Sequence, residues 1–264
     1  MEIIRRDELQ ELLDVVRMNP YGKFLITGIS GSGKSTRVYL FLEYLESLGL
    51  ELTPFKFKTL DGKEKEVGVY CEDLDLIFVG KWYENGGVRR WQGHDSMTGR
   101  LCHSEGLSYF LKSVAQKGHS VVLDGAGTTA TWRLRPKFLF EDNGFKSIVH
   151  IRYDYKPEQL QEYYDRIEYR SGEPPKGDSM WRKSKTFLHD YQKAVEEAKM
   201  VVSAGCHVSL HDEPYDAPVY DLGVRILEHV GLEDVQDEFI AYCQNSDYLI
   251  KNSFKSFEDG KGKR

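Results

Sequence analysis

The stretch Lys23-Phe-Leu-Ile-Thr-Gly-Ile-Ser-Gly-Ser-Gly-Lys-Ser-Thr36 decides the fold. It reads as a short apolar strand that runs into a glycine-rich turn and then a helix. The turn fits G-x-x-x-x-G-K-[ST] at Gly28, Gly33, Lys34 and Ser35, the pattern of a phosphate-cradling P-loop. Gly28, Gly31 and Gly33 let the backbone turn tightly and bring N–H groups onto phosphate oxygens. The segment Gly28, Ser30, Gly31, Ser32, Gly33, Lys34, Ser35 and Thr36 is therefore the candidate nucleotide cradle. A helix starting near Gly33 directs its positive dipole end at the same anion. Lys34 is suited to the β- and γ-phosphates, and the Ser35 hydroxyl to Mg²⁺.

Composition bounds the rest. The chain has 264 residues, 40% hydrophobic and 30% charged, which suits one large domain or one domain with an appendage. A net charge of −6 argues against a strongly basic, non-specific nucleic-acid binder, but leaves room for a local basic groove. Cys71, Cys102, Cys206 and Cys243 are far apart, with no C-x-x-C pair, so neither a disulfide framework nor a zinc signature is present. The histidines show no metal-ligand spacing. The charged N-terminal residues and the absence of any long apolar run lead us to expect a cytoplasmic protein with no membrane partner.

Periodicity gives the outline of the fold. Leu9, Leu12, Leu13 and Val16 predict a helix over 5–19. Apolar runs at 23–27, 119–123 and 147–151, alternating with helical segments, predict an α/β sheet with crossover connections. Three further strands are expected at 53–60, 66–71 and 74–79, the first two joined at Asp61-Gly62-Lys63, so an antiparallel β excursion interrupts the parallel sheet. Helices are expected at 35–48, 104–117, 128–140, 158–170, 178–202, 219–230 and 233–248, and an edge strand at 207–210. The expected fold class is a P-loop NTPase-like three-layer α/β sandwich with a mostly parallel sheet. The domain built on this loop is expected to span about 1–213, with an insertion near 52–102 and a lid near 166–182, and a helical extension to occupy 214–264.

Two groups of residues supply chemistry beyond the loop. Val121-Val-Leu-Asp124 ends a buried strand on a carboxylate. Asp-Gly also favours a simple turn, but beside a P-loop such an Asp holds Mg²⁺. Arg166 and Arg170 lie four apart on one predicted helix, next to a Gly/Pro-rich break, with Arg182 beyond it. They read either as a solvated face or as lid cations that stabilise charge on a transferring phosphoryl group.

The order of these parts resembles the polynucleotide-kinase-like branch of P-loop kinases. Gly28–Thr36, Leu123-Asp124-Gly125, Asp154, Pro157, Leu160, Arg166 and Arg170 carry the resemblance, over roughly residues 22–200. One departure is clear. Where that branch commonly sets a base Asp shortly after the first helix, this chain has a β excursion followed by Gly80–Cys102.

That segment has no clean periodicity, and it is dense in glycine, aromatic and basic residues. Its pattern Phe78-Val-Gly-Lys-Trp82 … Trp91-Gln-Gly-His-Asp95 is similar to one in the viral 5-hydroxymethyluracil DNA kinase family. The resemblance implies ATP as donor, Mg²⁺, DNA as partner, and transfer of the γ-phosphoryl to a hydroxymethyl group on a base. The residues suit such a task. Trp82, Tyr83 and Trp91 offer stacking surfaces for an extruded base. Lys81, Arg89, Arg90 and Arg100 suit flanking phosphates, and Gln92 and His94 suit a base edge. Asp95 suits the proton of the attacking hydroxyl. Trp82 and Trp91 equally suit core anchors, and Asp95 a turn cap. Competing readings are a kinase of free nucleosides, nucleotides or 5′-hydroxyl ends, and a nucleotide switch that transfers nothing. No guanine-reading N-K-x-D occurs in the chain, which disfavours the switch.

Overall fold

The computed structural model describes residues 22–27, 32–85, 87–97, 99–101, 103–125, 134–173 and 179–246. The expected helix over 5–19, the loop residues Gly28, Ser30 and Gly31, the helix start near Thr128 and the polar tail lie outside these residues. The strands are β1 (Gly22–Thr27), β2 (Leu52–Lys58), β3 (Glu64–Cys71), β4 (Leu76–Val79), β5 (Lys81–Asn85), β6 (Val88–Gln92), β7 (Ser120–Asp124), β8 (Ser147–Asp154) and β9 (His207–Pro214). The helices are α1 (Lys34–Ser47), α2 (His103–Gln116), α3 (Pro136–Glu141), α4 (Leu160–Ser171), α5 (Ser179–Ser203), α6 (Asp221–His229) and α7 (Gln236–Gln244).

A seven-stranded sheet runs in the order β2-β3-β4-β7-β1-β8-β9. It is mixed. The pairs β4/β7, β7/β1, β1/β8 and β8/β9 are parallel, whereas β2/β3 and β3/β4 are antiparallel. The chain is thus α/β, with its antiparallel part gathered at one edge. β4, β7 and β8 are buried along their whole length, as strands covered on both faces must be. Alternation sorts their side chains. Ile77, Val79, Val121, Leu123 and Ile148 pack with Phe110 and Leu111 of α2, Leu139 of α3 and Val201 of α5. Leu76, Phe78, Val122, Val149, Ile151 and Tyr153 pack with Phe41 and Leu45 of α1, Leu222 and Ile226 of α6 and Phe239 of α7.

α6 and α7 therefore share a core with the helix that follows the phosphate loop. Phe239 meets Phe41 at 5.5 Å and Tyr44 at 5.0 Å between ring centroids. Gly223 is required at the α6 contact, because a Cβ there would lie 2.1 Å from the Phe239 ring. Among the described residues no helix is long and apolar enough to cross a membrane.

Gly80–Cys102, expected to be irregular, contains a two-stranded antiparallel ribbon in which Lys81 pairs with Gln92 and Trp82 with Trp91. Alternation failed as a signal because both faces of the ribbon carry aromatic and basic side chains. The available signal was Asn85-Gly86, a strong hairpin dipeptide. A short 3₁₀ turn, His94–Met97, follows.

At the opposite end of the sheet from the phosphate loop, the His229 ring packs against Gly22, and its Nδ1 lies 3.4 Å from Ser147 Oγ. Burial, reinforced by neighbouring His207, lowers its pKa from 6.5 to about 4. The unfolded chain then binds the extra proton first. Stability is complete above about pH 6.5 and falls as the pH drops towards 4, by up to roughly 3 kcal/mol. His229→Gln should flatten that fall in urea unfolding measured across this range.

Candidate active site

β1 and β7 pair in parallel with Ile26 opposite Asp124, so Asp124 sits at the strand end beside the chain that enters the phosphate loop. α1 leaves the loop at Lys34. Gly33 at its N-cap is left-handed, with φ 78°, and a Cβ there would lie 2.7 Å from the Arg37 guanidinium. Only glycine meets both conditions cheaply. The Lys34 ammonium donates to Ser32 Oγ at 3.4 Å, and Ser32 is itself buried.

The two oxygen-bearing residues expected to share a metal meet here. Ser35 Oγ–H donates to Asp124 Oδ2 at 2.9 Å, across 89 residues of sequence. Both are hard oxygen donors of the kind Mg²⁺ takes, and Mg²⁺ bound largely through phosphates and water needs few protein ligands. The pair fits that ion. Among the described residues there is no larger cluster of His, Cys, Asp or Glu.

Asp124 has a second partner, which the sequence did not signal. The Trp91 indole N–H donates to Asp124 Oδ1 at 3.2 Å, and both residues are buried. Gly93 lies directly against the carboxylate, where a Cβ would be 2.0 Å from Oδ1. His94, 3% exposed, lies with Nδ1 2.8 Å from the Gly125 carbonyl. A carbonyl only accepts, so this nitrogen carries the proton. Residues 91–94 thus clamp the end of β7.

The ribbon itself is braced against α1. Trp82 packs edge-on to Trp91 at 5.4 Å and to Tyr39 of α1 at 5.7 Å. The Arg89 guanidinium stacks 3.6 Å above Trp82 and forks onto Glu46 of α1 at 2.7 and 3.0 Å. Strand alternation puts Lys81, Tyr83, Arg90 and Gln92 on the other face. Tyr83 and Gln92 are exposed there. Arg100 donates to the Glu66 carbonyl at 2.7 Å. Asp95 belongs to the 3₁₀ turn after Gly93, and its side chain lies outside the described residues.

Arg37 is the other residue that sequence reasoning missed. It is 2% exposed, yet it sits one position beyond Thr36 on an otherwise apolar helix face. It donates to the Ser32 carbonyl at 3.0 Å, to the Tyr215 carbonyl at 3.2 Å and to the Ala217 carbonyl, and it stacks 4.1 Å over the Tyr153 ring. The Tyr153 hydroxyl donates to Asp221 of α6 at 2.7 Å. Arg37 therefore ties the phosphate loop to the connection between β9 and α6. An arginine amid buried aliphatics directly after G-K-S-T was the available signal.

Asp154 ends β8 as a buried partner of Arg152 at 2.7 Å and accepts the Tyr155 N–H at 2.8 Å. Pro157 then opens the turn into α4, which carries Arg166 and Arg170, and Arg182 lies in the first turns of α5. The side chains of these three arginines lie outside the described residues.

The family model described as 5-hmdU DNA kinase 2 matches residues 22–225, from β1 into α6. The chain belongs to this family. It is a kinase, a phosphotransferase acting on a hydroxyl. The 5-hmdU DNA kinase 2 of Salmonella phage ViI is 24% identical to it over 258 residues, covering 84% of this chain and 82% of the phage protein. No solved structure matches the chain. The family match includes Ser35, Arg37, Trp91 and Asp124, so the whole arrangement lies within it.

Arg37→Met should remove the donor to three buried carbonyls and cost about 3 kcal/mol or more in urea unfolding. It should also weaken nucleotide binding in calorimetry, because the Ser32 carbonyl loses its tether.

Proposed function

We propose that the protein transfers the γ-phosphoryl of ATP to the hydroxyl of a 5-hydroxymethyl pyrimidine, hydroxymethyluracil, within DNA. On this reading it works in the host cytoplasm during viral DNA hypermodification. The observation that carries it is the Asp124 carboxylate, held between Ser35 of the phosphate-loop helix and Trp91 of the acceptor-side ribbon. The family match supports the acceptor.

The reaction balances simply. The hydroxymethyl oxygen attacks the γ-phosphorus, the bond to the β–γ bridging oxygen breaks, and ADP leaves. Asp95 takes the hydroxyl proton. Its position supports this role, since its turn starts one residue after Gly93, which lies against Asp124. The phosphate loop, residues 28–36, cradles the triphosphate, and Lys34 meets the charge on its β- and γ-oxygens. Ser35 and Asp124 would hold Mg²⁺, which supplies charge neutralisation on the phosphates when bound. Arg166 and Arg170 on α4 are the lid cations of the transition state.

The ribbon divides the acceptor-side work. Trp82, Arg89 and Trp91 are occupied with α1 and Asp124. The opposite face, Lys81, Tyr83, Arg90 and Gln92, meets the DNA strand, with Tyr83 as the aromatic platform. His94, buried against Gly125, shapes the floor. The kinase domain is taken to end near residue 213, and α6 and α7 beyond it are a helical extension that shares its core.

The test offers γ-labelled ATP and Mg²⁺ with hydroxymethyluracil-containing duplex DNA, ordinary DNA bearing 5′-hydroxyl ends, or free nucleosides. Label should enter the modified duplex. Label confined to nucleosides or to 5′ ends would overturn the assignment. Lys34→Ala should abolish transfer to any acceptor, and Asp95→Asn should lower kcat by about 10²–10⁴. Tyr83→Ala should raise the KM for DNA while leaving the KM for ATP unchanged.

A further inference from the structure

We infer that Trp91 is a positioning residue for Asp124, and that the acceptor-side ribbon thereby sets the geometry of the metal-binding carboxylate. The inference rests on the reading of Asp124 as a metal carboxylate, and goes beyond it by assigning the group that holds it.

Asp124 is 2% exposed, and each of its oxygens has its own donor, Ser35 on Oδ2 and Trp91 on Oδ1. The two donors differ in kind. A serine hydroxyl both donates and accepts, so Ser35 can turn its oxygen towards a cation. An indole N–H only donates and can never ligate a cation. Trp91 therefore remains a fixed hydrogen-bond donor while the Ser35 side changes its partner. It sets which carboxylate oxygen faces the phosphates. Outer hydrogen bonds of this kind typically change metal affinity or activity by about 10–100-fold when lost.

Trp91 can do this because its own ring is immobilised. It lies directly on Gly80, where a Cβ would be 2.3 Å from Trp91 Cζ2. Its neighbour Trp82 is wedged between Tyr39 and the Arg89 guanidinium, which is forked onto Glu46. The contacts close a ring that runs from α1 through Glu46, Arg89, Trp82, Trp91 and Asp124 to Ser35, and so back to α1. Gly93 lets the chain pass directly against the carboxylate, where a Cβ would be 2.0 Å from Oδ1.

The test compares wild type, Trp91→Phe and Asp124→Asn, and adds a protein carrying benzothienylalanine at position 91. That side chain keeps the shape of tryptophan and lacks only the N–H. Transfer to modified duplex DNA is measured against Mg²⁺ concentration, and ATP binding is followed by calorimetry with and without Mg²⁺. For both position-91 variants the expected result is about a tenfold fall in kcat and a higher Mg²⁺ requirement, with the KM for DNA and metal-free ATP binding unchanged. A raised KM for DNA with an unchanged Mg²⁺ requirement would make Trp91 an acceptor contact and overturn the inference. Unchanged kcat and Mg²⁺ dependence in the benzothienylalanine protein would overturn it as well, even if Trp91→Phe fails to fold. Asp124→Asn separates the two levels. If it keeps the wild-type Mg²⁺ response, the metal reading of Asp124 fails. If it loses that response while the position-91 variants keep it, only the role of Trp91 fails.

Discussion

The Asp124 carboxylate is the point on which the structure converges. A buried carboxylate must have its charge met by hydrogen bonds or a cation. Here the donors come from two elements with different tasks. Ser35 belongs to the helix leaving the phosphate loop, and Trp91 belongs to a ribbon inserted between β4 and α2. The need to satisfy one charge therefore pins the helix α1 and the ribbon to the same strand end. The parallel pairing of β7 with β1 brings that strand end beside the loop.

A second buried charge does comparable work on the other side of α1. Arg37 reaches backward to the loop carbonyl of Ser32 and outward to the carbonyls of Tyr215 and Ala217. With Tyr153 and Asp221 it binds the β9–α6 connection to the start of α1. The apolar packing of Phe239 on Phe41 and Tyr44 extends the same attachment along α1. One helix is thus held by the loop at its N-terminus, by the C-terminal helices along its face and by the ribbon through Glu46.

Local patterns were legible in the sequence, and distant pairings were not. The strands ending at Thr27 and Asp124 and the antiparallel edge at Leu52–Cys71 follow from apolar runs and turn residues that are contiguous in the chain. Ser35 and Asp124 could be nominated together because each belongs to a recognisable local pattern. Nothing local marks the bond between Trp91 and Asp124, which are 33 residues apart. Nor does composition tell which face of a ribbon is covered. Trp82 and Trp91 read from sequence equally as stacking surfaces and as core anchors, and in the fold Trp82 and Arg89 pack on α1 while Trp91 meets Asp124. The C-terminal helices were legible as helices, but their place in the core depends on Gly223 and Phe239 meeting α1, which only the assembled fold shows.

The most direct measurement is a crystal structure of the protein with Mg²⁺ and a non-hydrolysable ATP analogue. The ion should lie beside the Ser35 oxygen and Asp124 Oδ2, bound directly or through one water, with the Trp91 N–H still on Asp124 Oδ1. An ion held elsewhere on the phosphates, with the Ser35 and Trp91 hydrogen bonds to Asp124 unchanged, would contradict this.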